Sequence, residues 1–207
     1  MSNFKDILQN LGLSKERLKR IRDKVNEPIK PSYESVGLSG HLRILGISKD
    51  REVWTISDDK NMITDLGFLV MTNLWGGPVS PNTYESMRPR KIGIGVGSEG
   101  SPTPSMTRLR MGGTPYTQLP TYIANIDQPA VTVNSGYGVR LEMLVPNGDG
   151  GSPYNGAALQ EAGVFTGGYS GGDTGSGGMI AYKTYASILK SNQFSLLYQW
   201  QFTWSTA

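Results

Sequence analysis

The C-terminal stretch from Phe194 to Trp204 reads FSLLYQWQFTW and alternates apolar with polar residues almost without interruption. The apolar side chains share one parity, and they are Phe194, Leu196, Tyr198, Trp200, Phe202 and Trp204. Only Leu197 departs from the alternation. Because successive side chains of a strand point to opposite faces, the pattern predicts a long strand with one apolar face. We expect that face to lie in a core rather than to stack on sugars, with Trp204 at a subunit contact.

Glycine and proline divide the chain into many short segments. There are 27 Gly and 12 Pro among 207 residues, and both punctuate secondary structure rather than fill it. The predicted strands are 91–97, 106–111, 121–126, 129–134, 138–145, 157–166, 179–189 and 193–204. Strands at this spacing predict a mainly β domain, an antiparallel β-sandwich or jelly roll.

The N-terminal residues 3–25 predict two short helices. Ser14 caps the second, which has an apolar stripe opposite a face rich in Lys and Arg. Such a face either contacts nucleic acid within a helix–turn–helix or is solvated on a docking helix. We favour the solvated face, since one basic helix is too little to read a duplex, and nucleic acid is not an expected partner. Pro28 and Pro31 then end the helix and begin a stiff linker.

Residues 1–31 are therefore predicted to form a helical arm with a proline linker, and residues 32–207 a β-sandwich domain. Within that domain, residues 36–77 predict a hairpin followed by one additional helix. Asp58 or Asp59 is the expected cap of this helix. Its apolar positions are Met62, Leu66, Leu69, Val70 and Leu74.

Reactive side chains are sparse. The chain has no Cys and one His, which excludes disulfides, thiol catalysis and zinc sites built from Cys and His. The lone His41 lies in a predicted strand, where a structural role is the more common one. Glu142 and Glu161 are the only acids inside predicted strands of the β part, and nothing in the sequence brings them together. We therefore predict no enzyme, no catalytic residues, no cofactor and no metal site.

One glycine motif requires separate treatment. Residues 95–100 read GVGSEG and match G-x-G-x-x-G, which binds dinucleotides when it opens a helix. The following residues 101–104, SPTP, cannot begin such a helix. A glycine-rich strand edge and turn is the interpretation that we adopt.

Charge is distributed unevenly along the chain. Residues 1–60 carry twelve Lys and Arg against nine Asp and Glu, whereas residues 61–207 carry eight of each. A neutral, sparsely charged β part is typical of proteins that bury surface against partners, and also of slow-folding β proteins. With neither a signal-peptide pattern nor a long apolar run, we expect a soluble intracellular product that does not contact membranes.

Three passages resemble small virion structural proteins of tailed bacteriophages. The first is residues 61–67, NMITDLG, and the second is residues 92–97, IGIGVG, followed by a Pro/Thr stretch and Leu109. The third is residues 161–165, EAGVF, followed by a glycine-rich loop, residues 179–183 (MIAYK) and the closing strand. The resemblance covers about four-fifths of the chain and leaves out the helical N-terminus.

The resemblance implies a neck, collar, tail-adaptor or head-fibre component, assembled in the bacterial cytoplasm and located in the virion. Its expected partners are other virion proteins and further copies of itself. A helical arm is suited to lie in a neighbour's groove, and the anchor residues would be Phe4, Ile7, Leu8, Leu11, Leu18 and Ile21. The alternative for the arm is that it covers one end of the sandwich. The alternatives for the whole protein are a capsid decoration protein or a receptor- or glycan-binding module that uses loops 146–156 and 167–178.

Overall fold

The computed structural model describes residues 15–27, 37–76, 89–97, 109, 122–125, 137–147, 155–166 and 178–205. The helices are α1 (Lys15–Asn26) and α2 (Asp65–Gly76). The strands are β1 (Gly37–Ser48), β2 (Val53–Ile63), β3 (Pro89–Gly95), β4 (Tyr122–Asn125), β5 (Tyr137–Val145), β6 (Ala158–Thr166), β7 (Met179–Leu189) and β8 (Phe194–Ser205).

The strands form one antiparallel sheet in the order β4-β3-β6-β7-β2-β1-β8-β5. Three of the pairings are nested along the chain: β1 with β8, β2 with β7 and β3 with β6. β2 joins two halves of the sheet, because its residues 53–61 pair with β1 whereas Met62 and Ile63 pair with β7. The result is a nearly closed, sandwich-like sheet, and the predicted antiparallel β class is confirmed.

The main core lies between the two halves of the sheet. β8 contributes Leu196, Tyr198, Trp200 and Phe202, all buried, which confirms that its apolar face is core. Neighbouring strands β1 and β5 add aliphatic residues on the same side, and β3, β6 and β7 close the core from the opposite half. The long C-terminal strand therefore lies at the centre of the larger apolar cluster.

The other face of β8 is buried as well, which the alternation did not predict. Leu197, Gln199 and Gln201 are each at most 1% exposed, although two of them are polar. Leu197 packs with Ile21 and Val25 of α1, so the helix covers this face. The prediction of a one-sided strand is wrong because the strand has a helix on its second side.

The lead-in to α2 also differs from its prediction. Asp58 and Asp59 lie within β2, which continues to Ile63, and the helix begins at Asp65. The residue that caps it is Thr64, whose hydroxyl accepts the N–H of Gly67 (3.1 Å) and donates to the carbonyl of Met179 (2.6 Å). Pairing with β1 extends the strand past the two aspartates, and this overrides their capping tendency.

The second predicted N-terminal helix is confirmed as α1. Strands predicted at 121–126, 138–145, 157–166, 179–189 and 193–204 correspond to β4 to β8 within one or two residues at each end. The first N-terminal helix and the strands predicted at 106–111 and 129–134 fall outside the described residues, apart from Leu109. That residue is buried with Phe165, Met179 and Tyr182.

Candidate functional site

Helix α1 packs on the outer face of the β1–β8–β5 half of the sheet. Ile21 and Val25 are each 4% exposed and contact a cluster that contains Leu45 of β1 and Leu197 of β8. Leu144 of β5 is packed against the same cluster. Burial of two aliphatic side chains stabilises the docked helix by about 3–6 kcal/mol before entropy is counted.

Polar side chains of the sheet bind the C-terminal carbonyls of α1. The guanidinium of Arg43 donates to the carbonyl of Glu27 (2.7 Å), and the amide of Gln199 donates to the carbonyl of Val25 (2.8 Å). Arg140 reaches the Val25 carbonyl as well, at 3.4 Å. The last carbonyls of a helix lack partners within the helix and carry partial negative charge, so these donors hold α1 in one position.

The structure places three of the predicted contact residues: Ile21 with its side chain, and Leu18 and Trp204 by their backbone only. Ile21 is buried against the sheet of its own chain, together with Leu45 and Leu197. Leu18 lies in α1, and Trp204 lies opposite Leu38 and Tyr137 in the sheet, but their side chains are not among those described. The other predicted anchors, Phe4, Ile7, Leu8 and Leu11, fall outside the described residues.

The glycine motif after β3 receives an internal carboxyl group. Glu161 of β6 lies directly opposite Gly95 and is fully buried. Its Oε1 accepts the N–H of Gly97 (3.1 Å), and its Oε2 accepts the hydroxyl of Tyr182 (2.9 Å). A Cβ at Gly95 would overlap Oε1 of Glu161, so a larger residue here would displace the buried carboxyl group. Residues 95–97 of the motif are the end of β3 and the two residues after it, while residues 98–100 lie outside the described part.

Two tyrosines continue this buried network toward the main core. Tyr185 donates its hydroxyl to the Glu161 carbonyl (3.0 Å) and lies 2.9 Å from the Tyr198 hydroxyl, which in turn donates to it. Burial, together with Tyr198 and Glu161, raises the pKa of Tyr185 well above its ordinary value. Burial likewise raises the pKa of Tyr198. Both hydroxyls are therefore neutral hydrogen-bonding groups that link β6, β7 and β8.

The single histidine belongs to an ion-pair cluster on β1 and β2. His41 Nε2 lies 2.6 Å from an Asp58 oxygen, and the guanidinium of Arg43 lies 3.1 Å from the other. Arg43 is 4% exposed and also binds the end of α1. This geometry uses His41 and Asp58 to position Arg43, in line with the structural role expected for the histidine.

Helix α2 presents apolar side chains to solvent. Phe68 is 51% exposed and Leu69 is 53% exposed, while Val70 of the same helix is buried in the main core. The first turn is fixed to β7, because Thr64 bonds to the strand backbone and a Cβ at Gly67 would overlap the carbonyl oxygen of Ile180. Two large apolar side chains are thus half exposed, side by side, on a helix whose first turn is fixed to the sheet.

Other chemical features of the described chain are few. Among the residues that the structure describes, no three His, Asp or Glu side chains are grouped to hold a metal ion. In the same residues no helix is long and apolar enough to span a membrane. The loops predicted as recognition tips, 146–156 and 167–178, fall mostly outside the described part.

Comparison of the chain with protein-family models, with curated proteins and with solved structures found no match. The interpretation of these surfaces therefore depends on the geometry of the described residues. The sequence pattern did not indicate the burial of Gln199 or the exposure of Leu69. Leu197, an apolar residue among the polar residues of that face, was a sign that the face is buried. The exposure of Leu69 depends on how α2 packs on β7, which the local sequence does not show.

Proposed function

We propose that the protein is a structural subunit of a tailed-bacteriophage virion, a neck or tail adaptor or a fibre-anchoring protein that acts through protein–protein contacts. The observation that carries the proposal is the exposed Phe68–Leu69 surface of α2. Apolar side chains on a rigidly held helix lower the free energy when a neighbouring protein covers them, at about 25 cal/mol per Å². In the proposed role, the protein that covers this surface is a neighbouring virion protein.

The passages that resemble phage proteins lie together in the sheet. Residues 92–95 are on β3 and residues 96–97 directly follow it, while residues 161–165 are on β6, residues 179–183 on β7 and residues 61–63 at the end of β2. These strands are consecutive in the sheet order β3-β6-β7-β2, and α2 follows directly from the last. The short passages therefore lie on one half of the fold, the half that carries the exposed helix surface, whereas the closing strand β8 belongs to the other half.

The buried polar groups support a structural role in a second way. Glu161, Tyr185 and Arg43 each bind other parts of the same chain, across strands or between sheet and helix. Groups that are used in this manner hold elements together and leave contacts with other molecules to the surface. A protein that acts as a rigid connector benefits from such internal fixation.

Replacement of the α2 surface tests the proposal. The variant Phe68→Ser/Leu69→Ser is expected to fold normally but to be lost from purified particles. The matched control is Leu189→Ser, which removes another large exposed side chain (66% exposed) on β7. Normal incorporation of the double variant, or equal loss with the control, would contradict a specific contact through α2.

The N-terminal anchor prediction needs a truncation that leaves α1 in place. Deletion of residues 1–27 would remove Ile21 and Val25 from the sheet and confuse anchoring with stability. Deletion of residues 1–13 removes four of the six predicted anchors and preserves α1 together with Ser14, its predicted cap. If the arm anchors the protein, the shorter chain keeps its folded domain and fails to enter particles, whereas normal entry would exclude the anchor.

A further inference from the structure

β5 is the long edge strand of the described sheet. All nine of its residues pair with β8, from Tyr137 opposite Trp204 to Val145 opposite Leu196, without a register shift. No described strand pairs with its other side, and the opposite edge of the sheet, β4, is only four residues long. An edge strand presents a row of backbone N–H and C=O groups to a further strand.

No backbone feature of β5 blocks pairing at this edge. It contains no proline and no bulge, two devices that commonly prevent edge strands from pairing. Leu141, Met143 and Val145 are buried, so the core extends to the edge. On the outer face of the strand lie Arg140 and Glu142, 3.7 Å apart. A strand added to β5 would therefore meet both an apolar face and a pair of opposite charges.

We propose that β5 pairs with β5 of a second copy of this chain, antiparallel and across a two-fold axis at Leu141. Leu141 is the middle residue of Tyr137–Val145, so this register overlaps the whole strand. It places Arg140 opposite Glu142 of the second copy and Glu142 opposite Arg140 of the second copy. Val139 meets Met143 of the second copy on the core side. Two four-stranded half-sheets become one continuous sheet.

Charge selects this register over its neighbours. In an antiparallel pair of identical strands, residues directly opposite each other lie on the same face of the sheet. The two-fold axis therefore passes through one residue of β5, and the neighbouring registers have it at residue 140 or residue 142. An axis at residue 140 places Arg140 opposite its own copy, and an axis at residue 142 does the same for Glu142. Like charges directly opposite are destabilising, whereas opposite charges are favourable. Only the axis at Leu141 satisfies both charged residues with full overlap.

The dimer goes beyond the proposed virion role and does not depend on it, because the pairing is a property of β5 alone. A dimer without any particle would leave this inference intact. A monomeric protein found in particles would support the virion role and overturn the inference.

Charge reversal tests the register. Sedimentation equilibrium of the full chain should give twice the mass of the 22.5 kDa chain. Arg140→Glu and Glu142→Arg each place two like-charged pairs across the axis and should raise the dimer dissociation constant about tenfold or more. The double variant Arg140→Glu/Glu142→Arg restores opposite pairs and should recover the dimer. The control Glu52→Arg reverses an exposed charge in the β1–β2 turn and should leave the mass unchanged.

Crosslinking provides a second readout if a reversal disturbs α1, which Arg140 and Gln199 also hold. The chain has no Cys, so introduced thiols are unique. Opposite residues of an antiparallel pair have Cα atoms about 4.5–5.5 Å apart, which suits a disulfide. Oxidation of a mixture of Arg140→Cys and Glu142→Cys proteins should give a mixed dimer, with little from either alone. A monomer at all concentrations, no effect of either reversal, or no mixed disulfide would overturn the proposal.

Discussion

Loss of the Glu161 carboxyl group is expected to destabilise the fold more than any other single polar change among the described residues. This side chain is fully buried, and its two oxygens accept the Tyr182 hydroxyl and the Gly97 N–H. A buried donor without a partner costs about 1–3 kcal/mol. Glu161→Ala leaves two such donors and a cavity, so we expect a loss of about 3–6 kcal/mol.

The near-isosteric Glu161→Gln keeps one acceptor and places an amide NH₂ against the other donor. The expected loss is about 1–3 kcal/mol, between the wild type and the alanine variant. Urea unfolding measures both, since the free energy of unfolding follows from the midpoint and the slope. The matched control is Glu142→Gln, whose side chain is 26% exposed and accepts from Gln199; its cost should stay below about 1 kcal/mol.

The loss of stability is expected to decrease from Glu161→Ala to Glu161→Gln to Glu142→Gln. If the free energies of unfolding of both Glu161 variants lie within about 0.5 kcal/mol of the wild type, as for surface substitutions, the carboxyl group does not hold the chain at Gly95 and Gly97. The same conclusion would follow if Glu161→Gln lost no more stability than Glu142→Gln. In either case Gly95 would lose its explanation as the residue that makes room for a carboxyl oxygen.

Three further changes have defined outcomes. Because the pKa values of Tyr185 and Tyr198 are raised in the folded state, the unfolded chain releases these protons at lower pH than the folded chain. The contribution of the two tyrosines to stability is therefore complete below about pH 10 and falls as the pH rises beyond it. In urea unfolding, Tyr185→Phe should make this fall less steep. Ile21→Ala should cost about 2–4 kcal/mol in thermal or urea unfolding, whereas the exposed Lys19→Ala should cost under about 0.5 kcal/mol; equal effects would show that α1 is not docked. Gly67→Ala should destabilise by about 1–3 kcal/mol despite its better helix propensity, because its Cβ overlaps a carbonyl oxygen of β7, and a stabilised variant would contradict the close approach.

The C-terminal strand shows how far the sequence predicts the fold. Its period-two pattern correctly placed Tyr198 and Trp200 in the core, since side chains on one parity share a face. The pattern assigned Gln199 to solvent, although the glutamine is buried and binds the end of α1. A polar residue in a polar parity carries no local sign of burial; only Leu197 beside it indicated an apolar contact on that face.

The Glu161 site illustrates a different limit. Its components were visible in the sequence as a glycine-rich turn and one of two acids within strands. What joins them is the register of β3 with β6, which brings Gly97 to a residue 64 positions later in the chain. Register is set by pairing and packing over the whole sheet, so a local pattern cannot supply it. The helix start at Asp65 was misplaced for the same reason, since β2 is extended by its partner β1.

If the chain is a structural subunit of a phage particle, as we propose, purified particles must contain it. Quantitative mass spectrometry of purified phage particles, from cells that make this chain, measures its copy number against the major capsid protein. We expect a fixed copy number that survives extensive purification and falls sharply with Phe68→Ser/Leu69→Ser. Absence from particles, or a trace amount that purification removes, would contradict it.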